Sequence, residues 1–287
     1  MTRRGKPGPV VVGVDEAGSA DDAVDWATAE AAARGCPLSL VHAFRPPLPA
    51  DAYGFASPID SFVTAHTAAE LILGDAVTRA RSVAPGIEVS TRLARGTAAR
   101  ALLGEARDAR LLVLGSRGRS GLGAVLSGSV AGPVSRRSPC PIVVIRPFAN
   151  RPADRVSLRS APRVVVGIDP AASRSAATGF AFHAASQRGI PLTVLSAWTP
   201  NTAADIEPTL LVVGSSGRGH LRGLLCGSVS RTVLRDAGCP VAIVGRDRTT
   251  AGRTTAAQTR AEHRAVSPSG STDRPRRQVF WIRRASR

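Results

Sequence analysis

Two sets of residues in this 287-residue chain have the types and spacing to address a polyanion. One is a pair of aspartates, each closing an apolar run: Val10-Val11-Val12-Gly13-Val14-Asp15 and Val164-Val165-Val166-Gly167-Ile168-Asp169. The other is a pair of glycine loops, Gly115-x2-Gly118-x9-Gly128-Ser129 and Gly214-x2-Gly217-x9-Gly227-Ser228. Glycines let backbone amides approach a phosphate chain closely. A helix opening at Gly128 and Ser129 aims its free N–H groups and positive dipole end at the same place. Plainer readings stand beside this one. Gly115 and Gly118 can simply make a tight strand-to-helix turn, Asp15 can cap the helix that follows it, and Arg117, Arg119 and Arg218 can face phosphate or water alike.

Other chemistries are poorly served. Lys6 is the sole lysine, so neither a Walker A loop nor a Schiff-base lysine exists in the body of the chain. Cys36, Cys140, Cys226 and Cys239 lack the spacing of a disulfide framework or a zinc site. Cys140 and Cys239, each beside a proline, read as small buried apolar residues, and His42 reads as a core histidine within an apolar strand. The net charge of +17 is uneven: residues 246–287 carry eleven arginines against Asp247, Glu262 and Asp273, a surplus of +8. That tail predicts weak, charge-driven contact with DNA or RNA and no sequence reading. The N-terminal apolar run is too short for a signal peptide and no stretch has the length of a membrane span, so the expected protein is soluble and cytoplasmic.

The elements that position these residues occur twice. The first motif and its surroundings recur at an offset of 154 residues as far as Phe44 and Trp198, and the glycine loops and Cys-Pro pairs recur at an offset of 99. The second copy therefore lacks 55 residues that the first has between about Arg45 and Arg110. Apolar periodicity in the first copy predicts strands at 10–14, 38–44, 87–92, 111–114 and 142–145. Helices are expected at 20–33, ending at Arg34-Gly35, at 64–83, from Thr97 as N-cap to about 107, and from Gly128. Strands alternating with helical crossovers predict an α/β fold with a parallel, doubly wound sheet. In such a fold ligands meet the carboxyl ends of the strands at the topological switch point. The deletion removes the second helix, third strand and third helix from the second copy. The expected organisation is a complete domain at 1–148, a linker at 149–161, a truncated domain at 162–245 and a basic, disordered tail at 246–287.

The Val-Gly-Val-Asp opening, the spacing of both glycine loops and the closing Cys-Pro-Ile-Val-Val and Cys-Pro-Val-Ala-Ile-Val strands resemble the universal stress protein family, specifically its ATP-binding branch. The resemblance covers nearly all of 8–148 and, with the deletion, 162–245. It implies two Rossmann-like (adenine nucleotide alpha hydrolase-like) sheets in tandem with strand order 3-2-1-4-5, the second lacking an edge strand and two helices. It implies that Asp15 and the backbone near Ala43 address adenine and ribose, and that Gly115, Gly118, Gly128 and Ser129 address the phosphates of ATP. Asp169, Ala197, Gly214, Gly217, Gly227 and Ser228 would form a weaker second site. Glu16 departs from the family's small residue and calls for a metal ion such as Mg2+ between it and the phosphates. Pro133 departs by lying about one turn into the expected helix, kinking it or shifting its start.

The family pairs through its last strands, so 142–145 is expected to join 241–244 within the chain. A second chain could cover sheet faces left bare by the missing helices, giving a dimer of tandems. The function so implied is that of a nucleotide-dependent regulatory stress protein rather than an enzyme. A slow ATPase, with only Asp15 and Glu16 as candidate groups, and a pairing module with vestigial loops are the alternatives.

Overall fold

The computed structural model describes residues 8–15, 20–45, 58–116, 129–146, 161–168, 176–195, 208–214, 233–234, 237–245 and 280–282. The first half runs β1 (Val10–Val14), α1 (Asp21–Arg34), β2 (Leu38–Phe44), α2 (Pro58–Val83), β3 (Val89–Arg95), α3 (Ala98–Glu105), β4 (Leu111–Gly115), α4 (Ala131–Arg137) and β5 (Ile142–Ile145). The second half runs β6 (Val164–Gly167), α5 (Ala176–Arg188), β7 (Leu192–Leu195), β8 (Leu210–Gly214) and β9 (Val241–Val244), and a final short strand, β10, spans Phe280–Ile282.

Local chemistry explains most boundaries. The β-branched run of β1 is buried because helices cover both faces of a parallel sheet. Helix α1 stops at Gly35, whose φ of +58° lets its N–H close on the carbonyls of Ala31 and Ala32; Gly189, at φ +63°, ends α5 in the same conformation. Thr97 caps α3, its side chain accepting from the Arg100 N–H at 3.4 Å. Other boundaries differ from expectation. Helix α2 begins at Pro58, where a proline's missing N–H costs nothing, and β3 lies two to three residues later than its apolar run suggested. Helix α4 begins at Ala131, not at Gly128 or Ser129. Pro133 is the reason: with the later start it falls in the first turn, where its nitrogen has no intrahelical acceptor to serve. The N-cap position of α1 is Ala20, so Asp15 is not that helix's N-cap.

All ten strands belong to one sheet, in the order β10-β7-β6-β8-β9-β5-β4-β1-β2-β3. The first half has the expected 3-2-1-4-5 order, and every pairing inside each half, apart from β10 with β7, is parallel. The halves join where β5 and β9 pair antiparallel, Ile142 opposite Ile243, Val143 opposite Ala242 and Val144 opposite Val241. Val12, Val113, Val143, Ala242, Val212 and Val166 belong to one continuous core beneath α1, α2 and α5. The opposite face packs Val11, Leu112, Ile142, Ile243 and Leu211 against Leu102 of α3, Val134 of α4 and the helical residues Val233 and Leu234.

Two expectations are corrected. Residues 280–282 are not coil but pair antiparallel with β7, Phe280 opposite Val194 and Ile282 opposite Leu192. Nor is the second half's outer strand bare: Leu192, Thr193 and Leu195 are all buried. The loss of the second helix does leave a mark. Thr28, on the same stripe of α1 as the Asp21 and Asp25 that grip Arg79 of α2, is fully buried, whereas its counterpart Phe182 on α5 is 57% exposed.

The seam between α1 and α5 holds a buried acid. Glu30 is 3% exposed and pairs with Arg34 (2.5 Å) from its own helix and with Arg188 from α5. The guanidinium of Arg34 lies 5.5 Å from the Phe180 ring centre and that of Arg188 lies 5.7 Å from Trp26. Since Trp26 and Phe180, like Arg34 and Arg188, are related by the 154-residue offset, each half lays its arginine on the other half's aromatic ring.

Glu30→Ala would leave two neighbouring arginines without their shared counter-ion, and the expected loss in urea unfolding is about 3 kcal/mol. Trp26→Leu removes one cation–π contact and part of an apolar side chain packed against the core, and should cost roughly 1–2 kcal/mol; equal losses for the two variants would refute the primacy of the acid. Burial pushes the thiols of Cys36 and Cys140 up from their ordinary value. The folded chain therefore keeps these protons at pH values where the unfolded chain has lost them, and stability should fall as pH rises above about 8.5. Cys36→Ala and Cys140→Ala together should flatten that slope in a pH series of unfolding curves.

Candidate functional site

The switch point of the first half lies between β1 and β4. The chain moves outward from β1 to β2 and β3, then returns through α3 on the opposite face to β4. Three expected residues converge at the carboxyl ends of these neighbouring strands. Asp15 directly follows Val14, the last residue of β1. Ala43 is the penultimate residue of β2, paired with Ala94 of β3. Gly115 ends β4 opposite Ile145, and the next N–H, that of Ser116, donates to the Ile145 carbonyl at 2.8 Å, so the strand pairing runs to the start of the glycine loop. Adjacent strands sit about 4.8 Å apart, which places the three backbones within the span of one small ligand.

Gly13 explains why the apolar opening carries a glycine. A Cβ there would meet the Leu102 Cδ1 atom at 3.2 Å, so its absence lets α3 lie close against β1 just below Asp15. Ser129 is exposed and lies in the turn before α4. Gly118 and Gly128 lie outside the described residues. In the second half Gly214 ends β8 opposite Val244, and Ile168, whose N–H donates to the Leu195 carbonyl, directly precedes Asp169. Asp169, Ala197, Gly217, Gly227 and Ser228 lie outside the described residues.

Two features escaped the sequence. His42 is buried and is satisfied on one side only: its Nδ1 lies 2.9 Å from the Val14 carbonyl, while Nε2 has no hydrogen-bond partner. A carbonyl can only accept, so Nδ1 carries the proton, and the ring ties β2 to the last residue before Asp15. Beside Ala43, the rings of Phe44, Phe62 and His66 stand 5.7–5.9 Å apart, with the Arg95 guanidinium 5.0 Å from Phe62. This aromatic wall was missed because the expected helix began at 64. Pro58 at the first helical position was the signal that could have placed Phe62 on it.

Among the described residues no three His, Cys, Asp or Glu side chains gather into a metal site. Burial pushes the Cys140 thiol up from its ordinary value, which works against a nucleophilic role, although the Ser138 hydroxyl 3.5 Å from its Sγ acts in the other direction. A cavity of about 440 Å³ lies at the opposite edge of the sheet, lined by Ala31, Gly35, Cys36, Pro37, Pro85 and Glu88, among others. It faces the amino ends of β2 and β3 and has no part in this site.

Comparison with known proteins agrees with this architecture. The universal stress protein family profile matches residues 7–146 and 201–245. A universal stress protein of Mycolicibacterium smegmatis is 28% identical over 297 residues, covering 82% of this chain and 96% of the relative. One from Mycobacterium tuberculosis (strain ATCC 25618 / H37Rv) is 29% identical over 302 residues, covering 85% of this chain and 99% of the relative. Among solved structures, a universal stress protein from Archaeoglobus fulgidus superposes with a TM-score of 0.62 at 18% identity, covering 84% of this chain and 97% of that one, a likeness of fold. No helix among the described residues is long and apolar enough to cross a membrane. With the family profile spanning more than half of its length and relatives aligned along both halves, the chain belongs to the universal stress protein family, in its tandem form.

Proposed function

We propose that this stress-response protein binds one ATP per chain at the carboxyl edge of its first half and acts as a nucleotide-dependent regulatory protein rather than a catalyst. The observation that carries the reading is the convergence of Asp15, Ala43 and Gly115 on the ends of β1, β2 and β4, with the glycine spacing Gly115-x2-Gly118-x9-Gly128-Ser129 continuing from the last of them. In this reading Asp15 and the backbone at Ala43 hold adenine and ribose, while the amides near Gly115, Gly118, Gly128 and Ser129 hold the phosphates. Mg2+ offsets the extra carboxylate of Glu16. The functional division is a binding domain at 1–148, a linker at 149–161, a pairing domain at 162–245 and a basic tail at 246–287.

The second half takes the part of a poor binder. Its aspartate and glycine loop are retained, but the sequence that in the first half builds α3, with Leu102 against β1, has no counterpart there. The wall that closes the first site is therefore lacking in the second. Asp169, Ala197, Gly214, Gly217, Gly227 and Ser228 remain as a second, weaker set. The +8 charge of 246–287 supports weak binding of DNA or RNA that falls steeply with salt. A cytoplasmic location and a dimer of tandems belong to the same proposal.

Calorimetric titration with ATP and Mg2+ is expected to give a stoichiometry of one and a dissociation constant in the micromolar range, about 8 kcal/mol. Gly118→Val places a branched side chain where backbone must approach phosphate, and should weaken binding on the order of a hundredfold, near 3 kcal/mol, while leaving the unfolding curve in place. Undiminished binding in Gly118→Val, or two equivalent tight sites per chain, would overturn the assignment.

A further inference from the structure

The two outer strands of the ten-stranded sheet are not alike. On the first half's side, β3 closes the edge by pairing parallel with β2 along seven residues, Leu38 opposite Val89 through Phe44 opposite Arg95. The 154-residue offset makes β7 the counterpart of β2, and the deletion has removed the strand that would stand where β3 stands. A sheet edge left in that condition offers alternate unpaired N–H and C=O groups on an apolar strand, the template on which a second molecule adds its own strand. In this chain β10 occupies the place, running antiparallel with Phe280 opposite Val194, Trp281 opposite Thr193 and Ile282 opposite Leu192.

We propose that the end of the chain supplies the strand its second half has lost: Phe280–Ile282 closes the β7 edge in cis, and that closure keeps β7 from pairing with the same edge of another copy. The antiparallel sense fits this origin. A parallel replacement would need a crossover like the one β3 receives from α2. The segment here arrives after β9, from a stretch of more than thirty residues, 246–279, long enough to cross the four strand spacings between β9 and the β10 position, about 19 Å. The composition fits as well. Val279-Phe280-Trp281-Ile282 is the one apolar run in an arginine-rich tail, and Arg283 and Arg284 follow it directly, so its charge discourages further strands from stacking outward.

The test reads amide exchange residue by residue. In the intact chain every amide of Thr193 to Leu195 should be protected, because those not facing β6 face β10. Fast exchange at alternate positions of β7 in the intact chain would overturn the proposal before any variant is made. In the variant W281P/I282P, which removes an amide donor whichever register positions carry the bonds, protection at those alternate positions should drop on the order of tenfold. Residues 38–44 should stay protected as the internal control. Light scattering should show the variant forming species larger than the dimer of tandems proposed for the intact chain, and a peptide spanning 278–284 should reverse both effects. Unchanged exchange in β7, or an intact chain that already associates to the same extent, refutes the inference.

Discussion

The antiparallel meeting of β5 and β9 is the contact on which the rest of this molecule depends. Each is a four-residue strand with every side chain buried, and each would be an open apolar edge if its half stood alone. Pairing them across three register positions turns two sheets into one and moves the outer strands to the far sides, β3 at one and β10, on β7, at the other. The core then runs unbroken beneath α1, α2 and α5. Neither half has to bury its last strand by any other means.

That junction also sets the α1–α5 seam. A join that relates the halves by an approximate two-fold axis brings the same face of each half together, so the equivalent helices α1 and α5 must meet. The reciprocal placement of Arg34 over Phe180 and Arg188 over Trp26 is what such an axis requires. Glu30 breaks the symmetry, because its counterpart at the same offset is Ala184. Arg188 has no acid of its own on α5 at that position and takes the first half's carboxylate, which ties the second half to the first by charge as well as by backbone.

The deletion acts unequally on the two faces of the second half. Losing the counterpart of α2 leaves Phe182 in solvent where Thr28 is covered. Losing the counterpart of α3 removes the element that lies against β1 at Gly13 in the first half. The junction is untouched, since the missing strand belongs to the opposite side of the half sheet. The deletion therefore strips helices from the second half while leaving the pairing of the two halves in place.

Much of this was legible in the residues themselves. A β-branched run such as Val10–Val14 has few options but a buried strand, Arg34-Gly35 has the chemistry of a helix stop, and the two offsets of 154 and 99 locate the deletion by arithmetic alone. The convergence of Asp15, Ala43 and Gly115 followed from strand order, because parallel strands bring their carboxyl ends to one edge. What the sequence left open were the features set by partners far along the chain. Nothing near Glu30 in the sequence names Arg188, 158 positions away, as its partner. His42 reads as a core histidine until Val14 takes one nitrogen and nothing takes the other. Phe280–Ile282 has the aromatic and β-branched composition of a strand, but nothing local names its partner; it is a strand only where β7 presents unpaired backbone. Local sequence decides an element when its own periodicity and end residues suffice, and tertiary structure decides it when the stabilising group lies on another element.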